Sequence, residues 1–164
     1  NWYASNMTSY TKYLSTAAVY CNDRTEQTAG TYNTGNTTFY YAPNARAYTS
    51  YTPTYDCTEA SDAFSVDNIS AKLKYPIALM TSDEIMRAGG KGGTSLSSPY
   101  AWYYLNSTNI SITGSTNWWL LSPSDWLSSF AYSFFVRGSS YPGNLDWGRL
   151  DNANGVRPAN FSRV

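Results

Sequence analysis

Apolar positions near the N-terminus recur every three to four residues: Trp2, Tyr3, Met7, Tyr10, Tyr13 and Leu14. That period predicts one amphipathic helix with its apolar stripe on the core. Residues 25–54 keep no period, and their Asn, Gly, Thr and Pro predict long loops around one short strand at 38–41. Loops this long in a compact domain are usually functional or stapled. Residues 74–80 form a short apolar run of the kind a buried strand shows. Ser82 follows as the expected N-cap of a second helix, with Asp83 and Glu84 in its first turn and Gly89-Gly90 as its stop. Residues 90–98 predict a flexible loop, and 100–105 reads as either a short strand or a turn. Residues 118–121, 131–136, 144–147 and 155–161 read as short strands separated by turn signals, the pattern of antiparallel hairpins. The expected architecture is one α+β domain over residues 1–164, with two helices around a loop-rich antiparallel sheet.

Composition changes what that surface is made of. Only 13% of the 164 residues are charged, against about a quarter in an average domain, so Asn, Ser, Thr and Tyr must cover it. Sixteen Tyr and six Trp exceed what a core of this size asks for. Tyr and Trp with Ser, Gly and Asn is the composition of antibody paratopes, rigid contact area beside adaptable hydrogen bonding. A sheet that simply favours Tyr and Thr in its strands would read the same way in the N-terminal half. Acidic and basic residues cancel at 11 each and no like-charged block exceeds two residues, which argues against nucleic acid or anionic membrane as partner. No apolar run approaches the roughly 20 residues of a membrane span, so no membrane insertion is expected. The chain begins at Asn1 inside a helical pattern, and the expectation is a part, C-terminal in position, of a longer chain whose export signal lies elsewhere. Cys21 and Cys57 allow one pairing; a disulfide between them would staple the aliphatic-poor stretch, and two buried thiols are the alternative. Six Asn-x-Ser/Thr sequons, at Asn6, Asn36, Asn68, Asn106, Asn109 and Asn160, matter only in a eukaryotic host.

The densest chemistry lies in residues 117–161, where Trp, Gly, Pro and Arg punctuate runs of small polar and aromatic residues. Trp118 and Trp119 are assigned to the core. Trp126, Tyr141 and Trp147 have the ring faces that stack on pyranoses, and Asn144, Asp146 and Arg149 the groups that hydrogen-bond hydroxyls. Absence of histidine excludes His-dependent triads and His-ligated zinc. Asp125, Asp146 and Asp151 could be read as a glycosidase carboxylate pair, but on polar loops they read better as solvated or ligand-contacting groups.

Asn117-Trp118-Trp119-Leu120-Leu121-Ser122-Pro123 and Gly155-Val156-Arg157-Pro158-Ala159 resemble the opening and closing landmarks of the final sheet region in the C-type-lectin-like fold. The branch resembled is that of the formylglycine-generating, sulfatase-modifying enzymes and related bacterial and phage domains. Cys21-Asn22-Asp23-Arg24, Tyr75-Pro76-Ile77-Ala78-Leu79-Met80-Thr81-Ser82-Asp83-Glu84 and Ala88-Gly89-Gly90 look like earlier landmarks of the same branch. The resemblance spans nearly the whole chain in order. Enzymes of that branch use a cysteine pair near the end of the chain, and residues 58–164 contain no Cys, so their oxidase activity is not expected. Calcium-dependent lectins of this fold use Glu-Pro-Asn or Gln-Pro-Asp and Trp-Asn-Asp; Ala42-Pro43-Asn44 and Leu145-Asp146-Trp147 match neither. A hard-cation site from Asp146, Asp151, Asn152 and Asn154 with backbone carbonyls stays open. The branch also includes targets of diversity-generating retroelements, and Ser128, Ser129, Phe130, Ser139, Ser140, Tyr141, Asn144, Asp146, Asp151 and Asn152 resemble their adenine-mutagenised surface positions.

The expected function is a non-catalytic ligand-binding or adhesion domain displayed on a bacterial cell or phage surface, outside the cell or on a virion. Its partner would be a protein or glycan on another cell or particle. The expected ligand-binding residues are Asp125, Trp126, Ser128, Ser139, Tyr141, Asn144, Asp146, Trp147, Arg149, Asp151 and Asn152, with no catalytic residues and no cofactor. The alternative is a carbohydrate-binding lectin, with or without calcium. Arg157 is expected to be structural, tying carbonyls or a carboxylate at the closing turn.

Overall fold

The computed structural model describes residues 2–27, 38–94, 117–138 and 144–161. Residues 100–105, Ser139 and Tyr141 lie outside them, as do residues 95–98 of the loop expected at 90–98.

Helix α1, Trp2–Asn6, gives way to a tight 3-10 segment at Thr8–Tyr13, so the single helix expected here is broken. The Thr8 hydroxyl donates to the Ala4 carbonyl at 2.7 Å and the Thr11 hydroxyl to Thr8 at 3.1 Å, and such back-bonding competes with the α ladder. Three residues per turn then pull the stripe apart. Tyr3, stacked on Tyr75 with centroids 4.2 Å apart, and Leu14 are buried, while Tyr10 and Tyr13 are each 55% exposed.

A helix that residues 25–54 were not expected to hold starts at Ala42. Helix α2, Ala42–Ala45, carries Pro43 in its first turn and widens into a π segment, Arg46–Ser50, that ends on Tyr51 at φ 53°. Ala47 enters the core and the Tyr48 ring stacks near Phe134.

Helix α3, Ser82–Arg87, begins one residue earlier in its capping than the sequence suggests. Thr81 is the N-cap, not Ser82: its hydroxyl accepts from Glu84 N at 3.1 Å and the Glu84 carboxylate accepts from Thr81 N at 2.7 Å. Ser82 is buried, its amide donating to the Ser122 hydroxyl. At the other end Gly89, at φ 94°, and Gly90 return their amides to Met86 and Ile85, a Schellman stop.

Strands β1 (Tyr20–Cys21), β2 (Phe39–Tyr40), β3 (Ala63–Phe64), β4 (Ala78–Leu79) and β5 (Lys91–Gly92) are all two residues long. β1 pairs with β3. Of the expected strand at 74–80 only β4 forms, half-buried. Three longer strands build the main sheet: β6 (Trp118–Leu127), β7 (Phe130–Val136) and β8 (Asn144–Arg149). Its order is β2-β6-β7-β8-β5, antiparallel except for the short β5–β8 contact. Gly92 is required in β5, because a Cβ there would lie 2.4 Å from the Ala47 carbonyl oxygen. The expected strand at 155–161 divides around Arg157. β9 (Gly155–Val156) runs parallel to the start of β6, and β10 (Pro158–Ala159) pairs with β4.

β6 runs through the Ser122-Pro123-Ser124 sequence, which reads as a turn. Register shifts on both sides of Pro123 absorb the proline, and the Ser133 hydroxyl donates to the Ser122 carbonyl at 2.8 Å where the ladder is irregular. Ala47, Ile85, Trp118, Leu120, Phe134, Val136 and Leu145 form the core between this sheet and the helices. Trp119, expected beside Trp118, is only half-buried, edge-on to Phe135. The architecture is α+β, with few helices and an antiparallel-rich sheet. Cys21 and Cys57 are disulfide-bonded across 36 residues of separation. Among the described residues no helix is long and apolar enough to cross a membrane.

Candidate recognition surface

Residues opposite one another in an antiparallel sheet share a face. Tyr40, Asp125, Tyr132 and Arg149 therefore form one row across β2, β6, β7 and β8, with Phe134 and Trp147 paired in the next row across β7 and β8. Phe134 is fully buried and Trp147 38% exposed, so the patch begins where the core ends. Phe130, two residues before Tyr132 on β7, is 42% exposed on the same face.

The rings are held in place by their neighbours. Tyr132 meets Trp147 edge-on with centroids 5.2 Å apart, and the Arg149 guanidinium lies 3.6 Å from the centre of the Phe130 ring. Asp151 grips the same guanidinium through both oxygens, fixing it over the ring. Leu150 and Asp151 continue the exposed surface, and Asn152 closes the turn by donating its amide to the Arg149 carbonyl at 3.0 Å. Ser128 and Ser129, with φ of 50° and 98°, make the tight β6–β7 turn beside Phe130 and stand in solvent.

Of the expected ligand-binding residues, the structure brings Ser128, Trp147, Arg149, Asp151 and Asn152 to this exposed end of the sheet. Trp126 is half-buried opposite Phe39, and Asp146 is half-buried with Arg137 on its carboxylate at 2.8 Å. Asp125 and Asn144 are corrections: both are buried, so neither side chain reaches a ligand on this face. Asp125 is 1% exposed. One of its oxygens accepts from the Ser124 hydroxyl at 2.6 Å, itself accepting from the Asn44 amide, and the other has no hydrogen-bond partner among the described residues. Burial pushes this carboxyl above the usual aspartate range, against the opposing Ser124 hydrogen bond. Tyr48 nearby is pushed up too, by burial and then by the Asp146 and Asp125 charges. Ser139 and Tyr141 lie outside the described residues.

Sequence reading missed Tyr40, Tyr132 and Leu150, and placed Phe130 among variable positions without making it a contact. The signal for the rings was the period-two spacing of Phe130, Tyr132 and Phe134, which puts all three on one face. Among the described residues no three His, Cys, Asp or Glu groups gather as metal ligands, and Asp146 and Asp151 are each held by an arginine. Arg157 places its guanidinium 4.5 Å from the centre of the Trp118 ring.

Comparison with known proteins finds no matching family model, no matching curated protein and no matching solved structure.

Proposed function

We propose that this chain is a non-catalytic recognition domain that binds a protein or glycan of another cell or particle through the ring-rich end of its sheet, on a C-type-lectin-like scaffold. The observation that carries the reading is the exposed pair Phe130 and Trp147, each held rigid by a neighbour, beside the Arg149–Asp151 pair. Rigid rings lose little entropy on binding, and large apolar side chains left outward on a chain rich in small polar residues are contact area. The site proposed is Ser128, Phe130, Tyr132, Trp147, Arg149, Leu150, Asp151 and Asn152, on a domain displayed outside a bacterial cell or on a virion. The Trp118-to-Pro123 and Gly155-to-Pro158 segments, whose resemblance suggests the scaffold, lie on the central strand and on the two short strands closing the chain.

A lectin is the second reading, favoured by an exposed indole flanked by a carboxylate and a guanidinium, the groups that grip a sugar ring and its hydroxyls. A glycan array probed with and without chelator separates the two. Discrete sugar hits support the lectin, loss of them with chelator adds calcium, and binding confined to protein partners supports adhesion. Retroelement diversification of the turn and strand residues has its own test: a template repeat and a reverse-transcriptase gene beside the coding region are expected, and a locus lacking both excludes it.

A further inference from the structure

Away from the ring-rich end, a cleft of about 570 Å³ opens between the strand β1 region, the chain at 54–56, the start of α3 and Phe161. That volume is in the range of small-ligand sites. None of its lining residues belongs to the recognition surface.

Its floor is an ion cluster already satisfied from within. Arg46 donates Nε and Nη2 to the two oxygens of Asp83 at 2.7 and 2.9 Å, and Nη1 to Asp23 at 2.8 Å; the Thr54 amide adds a further bond to Asp83. Two carboxylates share one guanidinium, so the cluster keeps a negative charge and no free donor is aimed at a ligand. Above it stand two more carboxylates, Asp56 and Glu84, neither in an ion pair among the described residues. Burial pushes the Glu84 carboxyl up, against the Thr81 hydrogen bonds that oppose the shift, as befits an anion short of counter-charge. Arg87 is the second cation of the lining. It is turned to the rim, donating to the Pro53 carbonyl at 2.8 Å with its guanidinium 5.4 Å from the centre of the Tyr55 ring. Four carboxylates against two guanidiniums leave the cleft negative in a chain whose net charge is zero. Met80, Tyr55 and Phe161 supply apolar and aromatic walls, and the Phe161 ring is exposed.

We infer that this cleft is a second binding site, for an alkylammonium group on an apolar body, with the cation between Glu84 and Asp56 and the body against Met80 and Phe161. Negative charge at the floor and an aromatic wall are two features that recognise an organic cation. Both a free amine and a lysine side chain of a partner protein present this group.

The test is calorimetric titration of the whole chain with three probes of one skeleton: 4-phenylbutylamine, 4-phenylbutanol and 4-phenylbutyrate. The amine is expected to bind at least tenfold more tightly than the alcohol, and the acid more weakly than either. Glu84→Gln keeps the capping box and is expected to weaken the amine about fivefold or more, as is Asp56→Asn. Arg87→Gln removes a competing cation and is expected to strengthen it, while Asp67→Asn, an exposed carboxylate outside the cleft, leaves it unchanged. Equal binding of amine and alcohol, tighter binding of the acid, or an amine affinity unmoved by Glu84→Gln and Asp56→Asn overturns the inference. No binding of the amine at millimolar concentration overturns it as well. A parallel titration with N-acetyl-lysine methylamide identifies the source: tighter binding than the free amine marks a protein partner, weaker binding a small molecule, and either result supports the site.

Discussion

Asp125 shows how burial turns an apparent ligand contact into scaffold. Its carboxylate sits beneath the sheet row it belongs to, with one oxygen on Ser124 and the other without a partner among the described residues. An ionised group in that position costs stability. Its pKa is raised in the folded state, so stability tied to it is complete below the unfolded value of about 4 and declines as pH rises through the folded value. Asp125→Asn should therefore raise unfolding stability at neutral pH by about 1–2 kcal/mol, seen as a higher thermal midpoint, with the gain disappearing in acid. A loss of stability at pH 7 would contradict this. Sequence could not reveal the burial of Asp125, because Ser-Asp-Trp between a proline and a two-residue turn reads as loop. The outward placement of Trp147, Arg149 and Asp151 was legible, since a ring and two charges at the end of a short strand and in the turn after it have little to pack against.

At the scale of elements, local chemistry was readable where it was self-contained. The short helix after residue 80 and its glycine stop follow from neighbouring residues alone; the N-cap was misplaced by one because Thr81 and Ser82 are both good caps and only Thr81 has Glu three residues on. Thr81→Ala should cost about 1 kcal/mol, measured by urea unfolding. Helix α2 and its π extension were hidden for the opposite reason. They are stabilised by tertiary contacts, above all Arg46, whose guanidinium joins Asp23 of the chain after β1 to Asp83 of α3. Arg46→Ala leaves two partly or fully buried carboxylates unpaired and should cost about 3 kcal/mol or more, a loss that Arg46→Lys recovers only in part because one ammonium cannot serve both oxygens of Asp83 and Asp23. Strand β6 was cut short in the sequence because Ser122-Pro123-Ser124 carries the residues of a turn, whereas two register shifts let the strand continue.

Over the whole molecule, the α+β class and the antiparallel hairpin of β6 and β7 were readable from alternation and turn residues. Pairings between distant segments, such as β4 with β10 or β1 with β3, were not, because two-residue strands leave no periodic trace. The disulfide ties β1 to the chain at Cys57, six residues before β3. Replacing both Cys21 and Cys57 by Ser should lower unfolding stability by about 3–4 kcal/mol, by the loop-closure model for a separation of 36 residues. Acid response should be two-sided. Burial raises the Asp23 carboxyl, but the Thr25 and Arg46 hydrogen bonds and the Arg46 charge outweigh it and hold the pKa below the ordinary value. That contribution is present above the unfolded pKa and is lost as pH falls below about 4 and through the depressed value. Asp125 and Glu84 are shifted the other way, so their contribution grows as pH falls towards about 4. Stability from these three groups should therefore peak near pH ~4, the ordinary carboxylate value, which thermal scans across pH will show.

The most direct measurement is side-by-side binding of the domain and of a Phe130→Ala, Trp147→Ala double variant to a glycan array and to intact candidate host cells, with thermal unfolding of both. Discrete hits weakened at least tenfold in the variant, with unfolding nearly unchanged, are what outward-facing rings predict. Hits that survive loss of both rings, or a variant that has lost its fold, would mean that these side chains serve the scaffold instead.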